Sequence, residues 1–270
     1  MPGLRCAQPV QCRALRHSKS CCPSSFRLDN CRQAQTGCIC VSKLLQHPPM
    51  PAKIQISLDV TTIPEAMAMA RAAVRAGVDW LEAGTPLILG EGLNGVRALR
   101  KEFPNVPIVA DFKGMDGGGL EAAMFFDAGA DIALVMGQAH DATIIRAVEA
   151  ARKHGKKIMV DVMLCPDKPG RARQAQDFGA DIIVVHTGYD ERWLIKGLSP
   201  LDDLQAVLDA VTIPVQAVGG LSVEQALQTI EMGAQIVVFG APLVVQGDAF
   251  KAQGDDFEGL LSEIVRRVKA

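Results

Sequence analysis

The run Asp111-Phe112-Lys113-Gly114-Met115-Asp116 sets an amine between two carboxylates immediately after the apolar stretch Val106-Pro-Ile-Val-Ala110. A lysine flanked by acids is held charged, and it can stabilise negative charge that develops on a substrate oxygen. Other apolar runs close on groups of the same kind: Ile-Ser-Leu-Asp59, Trp-Leu-Glu82, Met-Val-Asp161 and Val-Val-His186. Polar groups collected at the ends of several strands form a catalytic layout if those ends share one rim. A surface salt-bridge cluster, with Glu82 simply pairing Lys113, is the competing interpretation.

Each residue type has a chemistry. Glu82 and Asp111 are hard oxygen donors that suit Mg²⁺, which would relieve their mutual repulsion together with Lys113. His186 is the natural proton-transfer group, because an unperturbed imidazole titrates near neutrality. Asp161 is expected to be a supporting group behind the residues that meet substrate. Gly219-Gly220 and Gly240-Ala241 follow the last two strand candidates, where backbone amides commonly hold a phosphate, although paired glycines also serve as plain turns. His140 reads as a loop residue. Asp131 and Asp181 stand where strands begin and read as structural groups on the far side.

These groups need a scaffold that brings residues as much as 127 positions apart, Asp59 and His186, to one place. From Lys53 onward, short β-branched runs alternate with segments whose apolar residues recur at three and four positions. The strand candidates are residues 54–59, 80–83, 108–112, 132–136, 158–161, 182–186, 215–218 and 236–239. Helical periodicity lies between them, as in Ala66-Met67-x-x-Ala70 and Leu204-x-x-Val207-Leu208. Gly77-Val-Asp, Gly129-Ala-Asp, Gly179-Ala-Asp and Gly233-Ala-Gln recur at intervals of 52, 50 and 54 residues, so two strand–helix modules make a unit that occurs four times. Eight such modules predict an α/β fold, a (β/α)8 TIM barrel, as a single domain over residues 50–270. An open doubly wound sheet is the alternative, weakened by the lack of a Gly-x-Gly-x-x-Gly loop after the first strand.

Composition narrows the partners. A net charge of −2 and no basic stripe interleaved with aromatics argue against nucleic acid. No apolar run approaches the roughly 18 to 20 residues that span a bilayer. Seven of the eight cysteines lie within the first 40 residues, leaving Cys165 alone in a body that reads as cytoplasmic. Residues 1–49 carry seven Lys or Arg and one acid, Asp29, which suits either an organelle transit segment or a start upstream of the natural one at Met50. Zinc binding fits less well, since Cys21-Cys22 and Cys38-x-Cys40 lack CxxC pairs.

Five ordered motifs, Leu58-Asp59, Leu81-Glu-Ala-Gly-Thr-Pro86, Ala110-Asp-x-Lys-x-x-Asp116, His186-x-Gly-x-Asp190 and Ala217-Val-Gly-Gly220, resemble the orotidine 5′-phosphate decarboxylase suprafamily. Within it they are most similar to the 3-hexulose-6-phosphate synthases, from about residue 53 to the C-terminus. The resemblance implies a homodimer with sites at the subunit boundary, Glu82 and Asp111 as magnesium ligands, Lys113 stabilising an enediolate, and Asp59 as its hydrogen-bonding partner. It also implies that Asp116 reaches the neighbouring site, that His186 transfers protons, and that Asp190, Gly219, Gly220, Gly240 and Ala241 lie around the substrate and its phosphate. The implied reaction is aldol addition of D-ribulose 5-phosphate to formaldehyde, or its reverse. Decarboxylation of a keto sugar-acid phosphate, or of orotidine 5′-phosphate, is the alternative, and a non-catalytic sugar-phosphate-binding barrel is a second. Keto-gulonate-phosphate decarboxylases carry an arginine where this chain has Tyr189, and the nucleotide decarboxylase has lysine in place of Glu82. One departure stands out: relatives commonly place an arginine after the strand-eight glycine, whereas Gly240 is followed here by Ala241-Pro242.

Overall fold

The computed structural model describes residues 52–241 and 257–270; the leader expected over residues 1–49 lies outside them. Eight parallel strands close into a barrel in sequence order, with β1 pairing both β2 and β8. They are β1 Lys53–Leu58, β2 Trp80–Ala83, β3 Ile108–Gly114, β4 Ile132–Met136, β5 Lys157–Asp161, β6 Ile182–His186, β7 Val215–Val218 and β8 Ile236–Ala241. The helices between them are α1 Ile63–Ala76, α2 Thr85–Glu91, α3 Leu93–Glu102, α4 Gly118–Ala128, α5 Asp141–His154, α6 Lys168–Asp177, α7 Tyr189–Leu194, α8 Leu201–Leu208 and α9 Val223–Met232, with α10 Phe257–Val268 after β8. The open-sheet alternative is thereby excluded.

Alternation along each strand sorts the side chains. Ile54, Ile56 and Leu58 point outward from β1 into the layer packed under the helices, as do Leu81, Ile108, Val160, Ile183 and Val237 from other strands. Residues between them point inward, where Trp80, Val109, Ile132, Leu134, Met159, Ile182, Val184 and Ile236 fill the barrel. A fully buried Ile or Leu of this kind contributes roughly 1.5–3 kcal/mol. The inward positions turn polar toward the carboxyl ends of the strands, and there the barrel stops being an oil drop.

The four-fold repeat has a physical reason at the opposite, amino rim. Asp79 Oδ2 accepts from Ile54 N, Asp131 Oδ2 from Ile108 N and Asp181 Oδ2 from Ile158 N, each at 2.9 Å, while Gln235 Oε1 accepts from Val215 N at 2.8 Å. Each side chain at the start of an even strand therefore anchors an amide within the first two residues of the odd strand before it, and so satisfies a backbone donor at the strand's entry. The expected structural role of Asp131 and Asp181 follows from these bonds. His140 departs from its reading as a simple loop residue. It is the N-cap of α5, where its Nδ1 accepts from Ala142 N at 3.1 Å.

Candidate active site

Parallel pairing puts every strand's carboxyl end at one rim, and a cavity of about 760 Å³ opens there. Asp59, Glu82, Asp111, Lys113, Asp161 and His186 all line it. Asp190, Gly219, Gly220 and Gly240 line it as well, on the side of α7, β7 and β8. Ala241 does not: it is buried at the end of β8, and its carbonyl accepts from Asp59 N at 2.9 Å. Asp116 is also outside the cavity of its own chain, exposed beyond β3, with Oδ1 accepting from Gly117 N at 2.7 Å.

Glu82 is buried at the end of β2 and held from two directions. Gln216 Nε2 donates to Gln55 Oε1 at 2.8 Å, and Gln55 Nε2 in turn donates to Glu82 Oε2. Ser57 Oγ lies 2.9 Å from Glu82 Oε1 and 2.9 Å from Asp59 Oδ1. One hydroxyl proton serves only one of these, so a protonated Glu82 donating to Ser57, which donates to Asp59, satisfies the chain. Burial, reinforced by the charges of Asp111 and Asp59, pushes the Glu82 carboxyl up to about 8, against smaller opposing effects of Lys113 and Ser57. Burial also raises Asp59, partly offset by its hydrogen bond from Ser57.

Asp111 Oδ2 receives Lys113 Nζ at 2.8 Å and lies 3.1 Å from the Thr85 hydroxyl, whereas Oδ1 is buried with no hydrogen-bond partner. An orphaned carboxylate oxygen next to a second acid whose proton is held abnormally tightly describes a site short of positive charge. The pair therefore fits a divalent ion. Among the described residues no three or more His, Cys, Asp or Glu side chains are gathered as a metal cage, so Glu82 and Asp111 offer only two carboxylates. That is the usual protein share for Mg²⁺, which keeps waters and substrate oxygens on its other positions.

Lys113 reaches this place through a backbone irregularity. The β3–β4 register shifts between Ala110 and Gly114, and Lys113 has φ +49°, in the left-handed region that side chains disfavour. A bulge of this sort re-aims a side chain at a sheet's end. Burial works to lower the Lys113 pKa, but the charges of Asp111 and Asp161 and the hydrogen bond to Asp111 outweigh it, so the ammonium is raised above its ordinary value. His186 sits at the end of β6 with Nδ1 2.7 Å from Asp161 Oδ2, and Asp161 Oδ1 accepts from Met163 N at 2.8 Å. The buried carboxylate thus fixes the orientation of the imidazole at the rim.

Several participants escaped the sequence reading. Gln55, Ser57 and Gln216 are inward residues of β1 and β7, and a polar residue at every second position of Gln55-Ile-Ser57-Leu-Asp59 was the available signal. Thr85 explains part of the Leu81–Pro86 motif through its bonds to Asp111. Gly84 explains another, because a Cβ there would collide with Asp59 Oδ1. Arg192, in α7, lines the cavity with nothing in its sequence context to announce it.

Fold and rim together define a (β/α)8-barrel enzyme with an acid, lysine and histidine centre. The chain belongs to the Orotidine 5′-phosphate decarboxylase / HUMPS family, whose model matches residues 52–253. It is 37% identical over 180 residues to 3-hexulose-6-phosphate synthase of Bacillus subtilis (strain 168), covering 66% of this chain and 84% of that one. It is 39% identical over 171 residues to the synthase of Mycobacterium gastri, covering 63% and 81%. Among solved structures, 3-hexulose-6-phosphate synthase from Salmonella typhimurium superposes with a TM-score of 0.72 at 33% identity, over 80% of this chain and 98% of that one.

Proposed function

We propose that this protein is a carbon–carbon lyase of the aldolase type that joins D-ribulose 5-phosphate to formaldehyde, giving D-arabino-hex-3-ulose 6-phosphate, or runs the reverse. The observation that carries this reading is the grouping at one rim of Lys113, 2.8 Å from Asp111, with buried Glu82 and the Asp161-held His186. Likeness to synthases from several bacteria supports it.

His186 Nε2 takes a proton from C1 of the pentulose phosphate, and the electron pair left behind spreads onto the C2 oxygen as an enediolate. The Lys113 ammonium donates to the oxygen that gains charge, an interaction stronger in the transition state than in the ground state. Asp59 accepts from a neighbouring hydroxyl, held in line by Ser57. Carbon C1 then bonds to the formaldehyde carbon, and the new alkoxide takes back the proton that the imidazole carries. Glu82 and Asp111 would hold Mg²⁺, which supplies positive charge to the substrate oxygens when bound.

Asp116 belongs to this reading through a second copy of the chain. Met115 is 50% exposed beside it, Leu120 71% and Met124 45%, an apolar setting that suits coverage by a partner whose site Asp116 would enter. A cytoplasmic setting is in keeping with Cys165, a free thiol buried in the body. Among the described residues no helix is long and apolar enough to cross a membrane. The test is formaldehyde consumption by purified protein with ribulose 5-phosphate and Mg²⁺. Turnover abolished by EDTA and restored by Mg²⁺ is expected, and an inactive wild-type protein under those conditions overturns the reading.

A further inference from the structure

Three basic side chains line the cavity among the described residues, and two are committed: Lys113 to Asp111 and His186 to Asp161. The third, Arg192, pairs with no carboxylate among those residues. Its Nε is 3.4 Å from Thr187 O and its guanidinium stands 5.8 Å from the centre of the Tyr189 ring. Burial lowers its pKa from the ordinary arginine value, with Tyr189 opposing to a lesser degree. A half-buried guanidinium stripped of water and given no anion is costly unless a ligand brings one. Of the acids that line this side of the cavity, Asp190 is exposed and makes no ion pair with Arg192, and two others are engaged elsewhere. Glu191 Oε2 accepts from Gly188 N at 2.9 Å, and Glu224 pairs with Arg267 at 3.1 Å.

The surroundings fix where the guanidinium sits. Thr187 N donates to Val218 O at 3.1 Å, which ties the loop after β6 to the end of β7. The guanidinium then packs against Gly220, at φ +65°, where a Cβ would collide with Nη1. Gly219, at φ +126°, packs on the Thr187 carbonyl, which a Cβ would also meet. Arg192 is thus fastened to the glycine turn that faces the cavity, while the described end of β8, Gly240-Ala241, brings no cation. On the eight-strand ring β3 and β7 are four strands apart, so Lys113 lies on the opposite side of the mouth from the Gly219-Gly220 turn against which Arg192 packs. A pentulose phosphate has a carbonyl end to offer one cation and an anionic end to offer the other.

The geometry points to Arg192 as the residue that holds the substrate's phosphate, through paired guanidinium N–H donors above the Gly219-Gly220 turn, in place of a cation after β8. A planar fork matches two phosphate oxygens at once, which a lysine cannot do. The sugar-phosphate part of this inference rests on the function proposed above, but the anion site itself does not.

Its test therefore has two arms on the full-length protein. In the first, inorganic phosphate is titrated calorimetrically into wild type, Arg192→Ala, Arg192→Gln and Arg192→Lys, each checked for an unchanged thermal melt without phosphate. Loss of affinity by about 10- to 100-fold in Ala and Gln, with partial recovery in Lys, is expected. Wild type that binds no phosphate, or Ala and Gln variants that bind it as tightly as wild type, overturns the inference. In the second arm, KM for ribulose 5-phosphate rises by a similar factor while kcat holds within a few fold. A loss confined to kcat overturns it too. If wild type proves inactive on that sugar the proposed reaction falls, yet the phosphate arm still decides the role of Arg192.

Discussion

At the amino rim of the barrel Asp79, Asp131 and Asp181 each accept from an amide at the start of a strand, and Lys156 and Arg100 reinforce Asp131. At the carboxyl rim Asp111 keeps an oxygen with no partner, and Glu82 holds a proton up to about pH 8. The residue types are the same and the settings are opposite. Burial alone works to raise Asp131, but the Lys156 hydrogen bond, the Ile108 amide and the Arg100 and Lys156 charges outweigh it and hold the acid below its ordinary value. Satisfied acids fasten strands together, whereas unsatisfied ones store electrostatic free energy that a bound cation and substrate can release. Position along the module separates the two kinds: the fastening acids stand just before a strand, and the acids of the cavity lie toward a strand's carboxyl end.

The comparison breaks most visibly at Lys113. Lys113→Ala should lower kcat/KM by about 10² to 10³ or more while circular dichroism shows the barrel intact; a near-normal rate would mean that the carboxyl rim does not stabilise charge through this group. Asp131→Ala tests the other rim and should cost about 1.5–3 kcal/mol, lowering the melting temperature by roughly 4 to 10 °C with kcat per folded molecule little changed. A variant that melts normally but turns over slowly would reverse the roles assigned to the rims.

Opposite pH responses sharpen the contrast. Glu82 binds its proton more tightly in the folded chain than at its unfolded value near 4.5, so its contribution is complete below that pH and is lost as pH climbs toward about 8. Metal-free protein should therefore melt progressively lower across that window, and Glu82→Gln should flatten the decline. Mg²⁺ should restore stability most at the alkaline end. Asp131 runs the other way: its contribution is present above about 3.8 and disappears as pH falls through its depressed folded value. Thermal melts across pH with EDTA, then with Mg²⁺, separate the two. The smallest effect is expected at Gln235→Ala, about 1 kcal/mol, since the same anchoring bond is made there by a neutral amide.

Much of this was legible in the chain. Six of the eight strand candidates fall within one residue of the observed bounds at both ends, because β-branched alternation and the Gly-x-Asp period state the same module twice. The exceptions, β3 and β8, each run two residues further, to Gly114 and Ala241. Lys113 adopts its left-handed turn inside the strand, and spacing carries no sign of a bulge. Acids and the histidine at strand ends marked the cavity, but not Gln55 and Gln216, which hydrogen-bond across 161 residues of separation. Arg192 was illegible for the same reason: its setting is made by Gly220, on the next strand's loop, and only folding brings the two together.

The φ of +49° at Lys113 has an evolutionary edge to it. Glycine would occupy that backbone pose without steric cost, so keeping a long cationic side chain there sets local comfort against usefulness. Lys113→Gly should consequently melt above Lys113→Ala, by about 1 kcal/mol, while being just as inert. A sturdier barrel without that ammonium lies one substitution away.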